Sequence, residues 1–336
     1  MKNLVMKGRA FLQPAGPQHA GGRRGRREAG TALLFLLPQL FGLVAFIGLP
    51  LGVSLYYSFT HWDLVAPSPT WIGAQNWSHL LDDDRLPKVL WNTVKFILTG
   101  TTSFLVCSLA AALITYRPRR GVAFYRAMLF LPYVLSQIAV GIVWRWMFNT
   151  ESGPINRLFE VFGLNGPQWL LDPRTAMPAI ALVTTWQGLG YGMTLFVASL
   201  HGVPQALLEA ARIDGTNAWQ RFRHVLLPMI SPTVLFLMVT SLIGALQLFD
   251  PVVAMTTSDG GIAVAGGPDD STRTVVLYMY NQMFNYNERL SGLGYAAAIA
   301  WVLALLTFVL TLGQWLLGKR WVFYASESAQ GKGGLS

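Results

Sequence analysis

The sequence predicts an all-α polytopic membrane protein with about six transmembrane helices. Three observations carry that reading. Hydrophobic residues make up 53% of the 336 positions and charged residues only 12%, about half the charge of an ordinary soluble domain. Six apolar runs, at about 32–58, 90–115, 123–147, 178–201, 226–249 and 293–318, each reach the roughly twenty residues that a helix needs to cross a hydrocarbon core. The runs are continuously apolar rather than alternating, so helices that close their own backbone hydrogen bonds carry them, not the strands of a barrel.

A basic, Gly-rich stretch precedes the first run. Residues 1–30 read as a disordered tail, since they hold too little apolar surface to bury. A basic start before an apolar run also opens a secretory signal, and Arg23-Arg24 imitates a twin-arginine start. The run from Thr31 to Phe59 is too long for a signal core, lacks a small-residue cleavage site and precedes five further runs. It reads as a retained first helix.

The second run contains Cys107, the single cysteine, which excludes an intramolecular disulfide. The third holds Tyr133, Ser136 and Gln137. In the fourth, Thr184, Gln187, Gly188 and Tyr191 recur at i, i+3, i+4 and i+7, on one helical face. Thr240, Gly244 and Gln247 make a similar stripe in the fifth. Such stripes suit a pathway for a hydroxyl-rich solute, held by hydrogen bonds and aromatic faces. Small and polar residues also bind membrane helices to one another, and the residues alone leave both readings open. The sixth run leads into a tail at 321–336.

Three segments, at about 59–89, 148–177 and 250–292, hold most of the acids. The last contains the turn signals Gly260-Gly261 and Gly266-Gly267-Pro268. Thr272 to Phe284 then reads as an amphipathic helix lying at the interface or as a solvated loop. The formal net charge of +9 is no nucleic-acid signal, because it is placed by side. Arg23, Arg24, Arg26, Arg27, Arg117, Arg119, Arg120, Arg126, Arg212, Arg221, Arg223, Lys319 and Arg320 fall on one side, against Arg85, Lys88, Arg157, Arg174, Arg273 and Arg289 on the other. By the positive-inside rule both termini and the 203–225 loop are cytoplasmic.

That loop is the most informative stretch of the chain. Pro204 suits a helix start, Gly215 suits a left-handed helix end, Thr216 or Asn217 suits the cap of a second short helix, and Pro228 introduces the fifth run. The result is a helix-turn-helix elbow. Its Glu209-Ala210-Ala211, Asp214-Gly215 four residues on, and a ten-residue step to Val225 before Leu227-Pro228 resemble the EAA loop of ATP-binding-cassette importer permeases. Val225 stands where that family usually has Ile. The resemblance extends over about 30–324 and has the flavour of sugar-uptake permeases related to the maltose system. It is carried by Asn92-Thr93, Phe130-Leu131-Pro132, Trp144 to Asn149, Trp186, Phe249-Asp250, Gly266-Gly267-Pro268, Gly294 to Ala297 and Arg320-Trp321. The segment Ser258 to Val264 is insertion-like.

The resemblance implies a type I importer permease fold in a prokaryotic plasma (inner) membrane. It implies a second, similar permease as heterodimer partner, two ATPase subunits gripping the elbow, and an extracytoplasmic solute-binding protein. ATP and Mg would be held by the ATPases, with no cofactor in this chain, and the solute would be a carbohydrate. Glycerol phosphate or another polar solute stays open as an alternative. The residues themselves agree with a transport role. No Gly-x4-Gly-Lys-Ser/Thr loop occurs, the five histidines lack metal-ligand spacing, and no catalytic constellation is visible. A secondary transporter would need an embedded carboxylate, and the nearest acid to any run is Asp250, at a run's end.

Overall fold

A computed structural model of the protein describes residues 23–257, 265–284 and 292–322. The chain divides into two compact units, one ending at Ser54 and the other starting at Leu55. Helix α1 (Arg23–Leu43) passes through a π-helical turn at Val44–Gly48 into α2 (Leu49–Tyr57). It begins at Arg23, inside the stretch read as a disordered tail. Arg, Glu and Ala are good helix formers, and an apolar run that has nucleated a helix propagates it one residue at a time. The rest of that tail, 1–22, and most of the last, 323–336, lie outside the described residues.

The second unit opens with a two-residue antiparallel pair, Thr60–His61 with Thr70–Trp71, and α3 (Gln75–Leu81). The second run becomes α4 (Leu86–Phe96), a π-helical turn at Ile97–Thr101 and α5 (Thr102–Thr115). Next come α6 (Val122–Val134), α7 (Gln137–Met147), α8 (Pro154–Val161) and the 26-residue α9 (Ala176–His201). The elbow holds α10 (Gln205–Ile213), α11 (Ala218–Arg221), a π-helical turn and α12 (Leu227–Met229). The remainder is α13 (Ser231–Leu246), α14 (Asp250–Thr256), α15 (Val275–Met283) and α16 (Leu293–Trp321).

Among the described residues four helices are long and apolar enough to cross a membrane, or six if each of two bent pairs is one span. The third and fifth runs are those bent pairs, not the straight helices that their length suggests. In the third, α6 and α7 meet at 100° across Leu135 and Ser136, which are extended. The stranded carbonyl of Leu135 accepts a hydrogen bond from Gln187 Nε2 at 3.1 Å. In the fifth, the bend is 69° at Ile230. The carbonyl of Pro228 would ordinarily bond the amide four residues on, but position 232 is proline and has none. Ser231 Oγ donates to it instead, at 2.6 Å.

Helix α9 is the centre of the unit. Ile180, Val183, Met193 and Phe196 are almost wholly buried. A Cβ at Gly192 would stand 2.5 Å from Ser108 Oγ of α5, and one at Gly190 would overlap the backbone of α6 at Leu129. Only glycine lets both neighbours approach this closely, which is how small residues assemble helices in lipid.

The segment read as an outer loop is more ordered than its polarity predicts. Asp250–Thr256 is helical and packs on α7. The stretch read as an interfacial helix or a solvated loop holds α15, with Val275, Leu277 and Tyr278 buried. Asn92 and Thr93 hold its approach: Asn92 Nδ2 donates to the carbonyls of Asp270 at 2.7 Å and Arg273 at 3.2 Å, and Thr93 Oγ1 accepts from the amide of Val275 at 3.3 Å. The insertion-like Ser258 to Val264 lies outside the described residues.

Candidate coupling elbow and central cavity

Local chemistry alone specifies the elbow. The amide of Gly215, at φ +74, donates to Arg212 O at 3.1 Å, and the amide of Thr216 to Ala211 O at 3.1 Å. That nested pair is the helix end which a left-handed glycine allows. Asn217 then starts α11 with a reciprocal capping box, its side chain accepting from the Gln220 amide and Gln220 Oε1 accepting from the Asn217 amide, both at 2.8 Å. Asn217, not Thr216, is therefore the cap. Thr216 Oγ1 instead donates back to Ala211 O at 2.5 Å.

The two faces of α10 differ. Leu208 and the buried Ala211 turn toward the body, where Val203, Leu208, Leu226 and Ile230 share one apolar cluster with the end of α9. Glu209, Ala210 and Asp214 are exposed, and Ile213 is 86% exposed. Val225, Leu227 and Pro228 are half-buried where the chain turns into α13. The elbow thus exposes Glu209 and Ala210 along α10, with Ile213 and Asp214 at its end.

A cavity of about 360 Å³ lies between α5, α7, α9, α13 and α14, within the range of small-molecule sites. It brings together residues from three of the sequence stripes: Gln137, Thr184, and Gly244 with Gln247. The other stripe members do not line it. Gln187 bridges the break of the third run. A Cβ at Gly188 would meet the Phe104 ring. Tyr191 stacks on Tyr133 with centroids 5.0 Å apart. Thr240 bonds its own helix at Phe236 O.

Sequence reasoning missed Phe96, Thr101, Phe104, Thr185 and Ser241, which also line the cavity. Aromatic residues in an apolar run carry no signal of their own, and only the bend of the third run brings Gln137 to this place. The hydroxyls of Thr101 and Thr185 are buried and have no hydrogen-bond partner among the described residues. Among the described residues, Asp250 is the one ionisable residue in the lining. Cavity and elbow are joined by α9, which runs unbroken from Thr184 to His201, roughly 25 Å of helix.

Residues 104–322 match the protein family described as binding-protein-dependent transport system inner membrane component. The chain is 32% identical over 305 residues to the probable ABC transporter permease protein YesP of Bacillus subtilis (strain 168), a match that covers 90% of this chain and 94% of that one. It is 35% identical over 245 residues to the lactose transport system permease protein LacF of Rhizobium radiobacter, with 72% and 79% covered. Among solved structures, a bacterial ABC transporter involved in the import of the acidic polysaccharide alginate superposes with a TM-score of 0.72 at 20% identity, over 88% of this chain and 98% of that one. That likeness concerns the fold, which is the one expected of a type I importer permease. The family match and the identities together place the chain among the binding-protein-dependent inner membrane components: it is a membrane-spanning permease subunit of an ABC importer, a transport component and not an enzyme.

Proposed function

We propose that this permease forms half of a sugar pathway and is driven through its elbow by a separate ATPase. One observation carries the coupling role. The exposed face of Glu209 and Ala210 sits on a locally specified helix-turn-helix that follows the cavity-lining helix directly, after the short link Gly202-Val203-Pro204. Ala210 lets a partner surface approach closely, and Glu209 offers a charge-assisted acceptor to it. Two ATPase subunits hold the ATP and Mg, a second, similar permease completes the pathway, and an extracytoplasmic binding protein delivers the solute. Both termini face the cytoplasm in this reading, which the placement of Lys and Arg supports.

A carbohydrate is the solute that the cavity lining favours. The hydroxyls of Thr184 and Ser241, the amides of Gln137 and Gln247, and the rings of Phe96, Phe104 and Phe249 supply hydrogen bonds and apolar faces, as sugar binding needs. The lactose-system relative supports the same class. The test is sugar-stimulated ATP hydrolysis by the chain assembled with its ATPase, second permease and binding protein. Glu209→Lys should leave unstimulated hydrolysis and abolish the response to sugar, and a full response in that variant would sink the coupling role.

A further inference from the structure

A second, larger groove lies away from the central cavity. It has a volume of about 870 Å³ and runs along the second half of α5 to the elbow. One wall is apolar, with Val106, Leu109 and Leu113 of α5 at i, i+3 and i+7 on one helical face. Facing it are Leu208, Phe222 and Leu226 of the elbow. Four arginines also line it, Arg117 and Arg119 just beyond α5, Arg212 at the end of α10 and Arg221 in α11. Among the described residues no Asp or Glu lines the groove, and none of the four arginines forms a salt bridge.

Their hydrogen bonds leave most donors unused. Arg117 Nε donates to Tyr116 Oη at 3.0 Å, and Arg221 Nη1 donates to Thr216 O. A guanidinium has five N–H donors, so the four side chains keep a large surplus in the lining of an apolar trough. The trough has the depth of one leaflet. From Val106 to Tyr116 is ten residues, about 15 Å of helix, which is half of a hydrocarbon core of roughly 30 Å.

We propose that this groove binds an anionic phospholipid, with an acyl chain along Val106, Leu109 and Leu113 and the phosphate among Arg117, Arg119, Arg212 and Arg221. A basic pocket beside a membrane helix, at the end of its apolar stretch, is the setting in which lipid head groups are recognised, and guanidinium suits phosphate through paired N–H donors. The lipid ties the α5–α6 connection to the elbow. Its binding requires neither solute nor ATP.

The test is native mass spectrometry of the full chain, purified with its partner subunits in mild detergent and incubated with phosphatidylglycerol or phosphatidylcholine. Phosphatidylglycerol should be retained at least tenfold better. Arg119→Gln with Arg212→Gln should lower its retention by roughly tenfold or more, as two lost surface charges imply. Leu113→Trp, which keeps every charge and fills the trough, should displace the lipid as well, and an unchanged melting temperature in both variants tells loss of the site from loss of fold. Equal retention of the two lipids, or undiminished phosphatidylglycerol in both variants, would overturn the site. So would release of the ATPase subunits by the double arginine variant with lipid retention unchanged, which would assign the arginines to that partner.

Discussion

Replacing Gln187 by methionine separates the two readings that its sequence pattern leaves open. Gln187 belongs to the Thr184 stripe, yet it is only 6% exposed, and its Nε2 donates to Leu135 O at 3.1 Å, the carbonyl stranded where the third run bends by 100°. Methionine keeps the length and volume of the side chain and removes the donor, so packing survives and the carbonyl loses its partner. An orphaned buried acceptor costs about 1–3 kcal/mol. The purified complex should therefore melt several degrees lower, at roughly 2–4 °C for each kcal/mol, as followed by tryptophan fluorescence. Solute uptake into vesicles should keep a wild-type KM, because Gln187 does not line the cavity. Thr184→Val should give the opposite pattern. Its hydroxyl bonds its own helix at Ile180 O, 3.0 Å away, so stability changes little, while a methyl group replaces a polar atom at the cavity wall and KM rises. A Gln187→Met complex with unchanged melting and a raised KM would refute the bridging role.

Two further outcomes follow from named contacts. Gly215→Ala forces an alanine to φ +74 and should destabilise by about 1 kcal/mol; because it misdirects α11, sugar-stimulated hydrolysis should fall more than melting temperature does. Asp83 gathers α15 and α16 onto the loop before α4, accepting hydrogen bonds from Tyr278 Oη at 2.6 Å and from Tyr295 Oη. Burial pushes its carboxyl up, but the two phenols and the amides of Arg85 and Leu86 outweigh this and hold its pKa below the usual value. A lowered folded-state pKa stabilises at neutral pH, and that stability is lost as pH falls below the ordinary aspartate value of about 3.9 and through the folded one. The melting difference between wild type and Asp83→Asn should accordingly be constant from neutral pH down to about pH 5 and shrink below it; a difference that grows on acidification would exclude the clamp.

The elbow was almost entirely legible in the chain, because its geometry is made by neighbours in sequence. A left-handed glycine at 215, a capping box between Asn217 and Gln220 and prolines at 204 and 228 act over four or five residues, and no distant contact is needed to specify them. The cavity was legible only in part. Thr184, Gly244 and Gln247 share it as their stripes suggest, but Gln187 and Tyr191, which have the same periodicity, are spent on a broken helix and a stacked ring. Periodicity states which side of a helix a residue occupies and says nothing of what stands opposite.

Composition and hydropathy by themselves determined that this is a helical membrane protein with about six apolar runs, since lipid leaves the backbone few other ways to satisfy its hydrogen bonds. The local pattern from Pro204 to Pro228 determined that it carries an elbow. Only the tertiary structure decided that the third and fifth runs bend, that α14 and α15 pack into the body rather than float over it, and which polar residues reach the cavity. Those outcomes depend on side chains distant in sequence, such as Gln187 meeting Leu135 across 52 positions. A buried carbonyl must find a donor wherever the fold brings one, and no short window of sequence contains both.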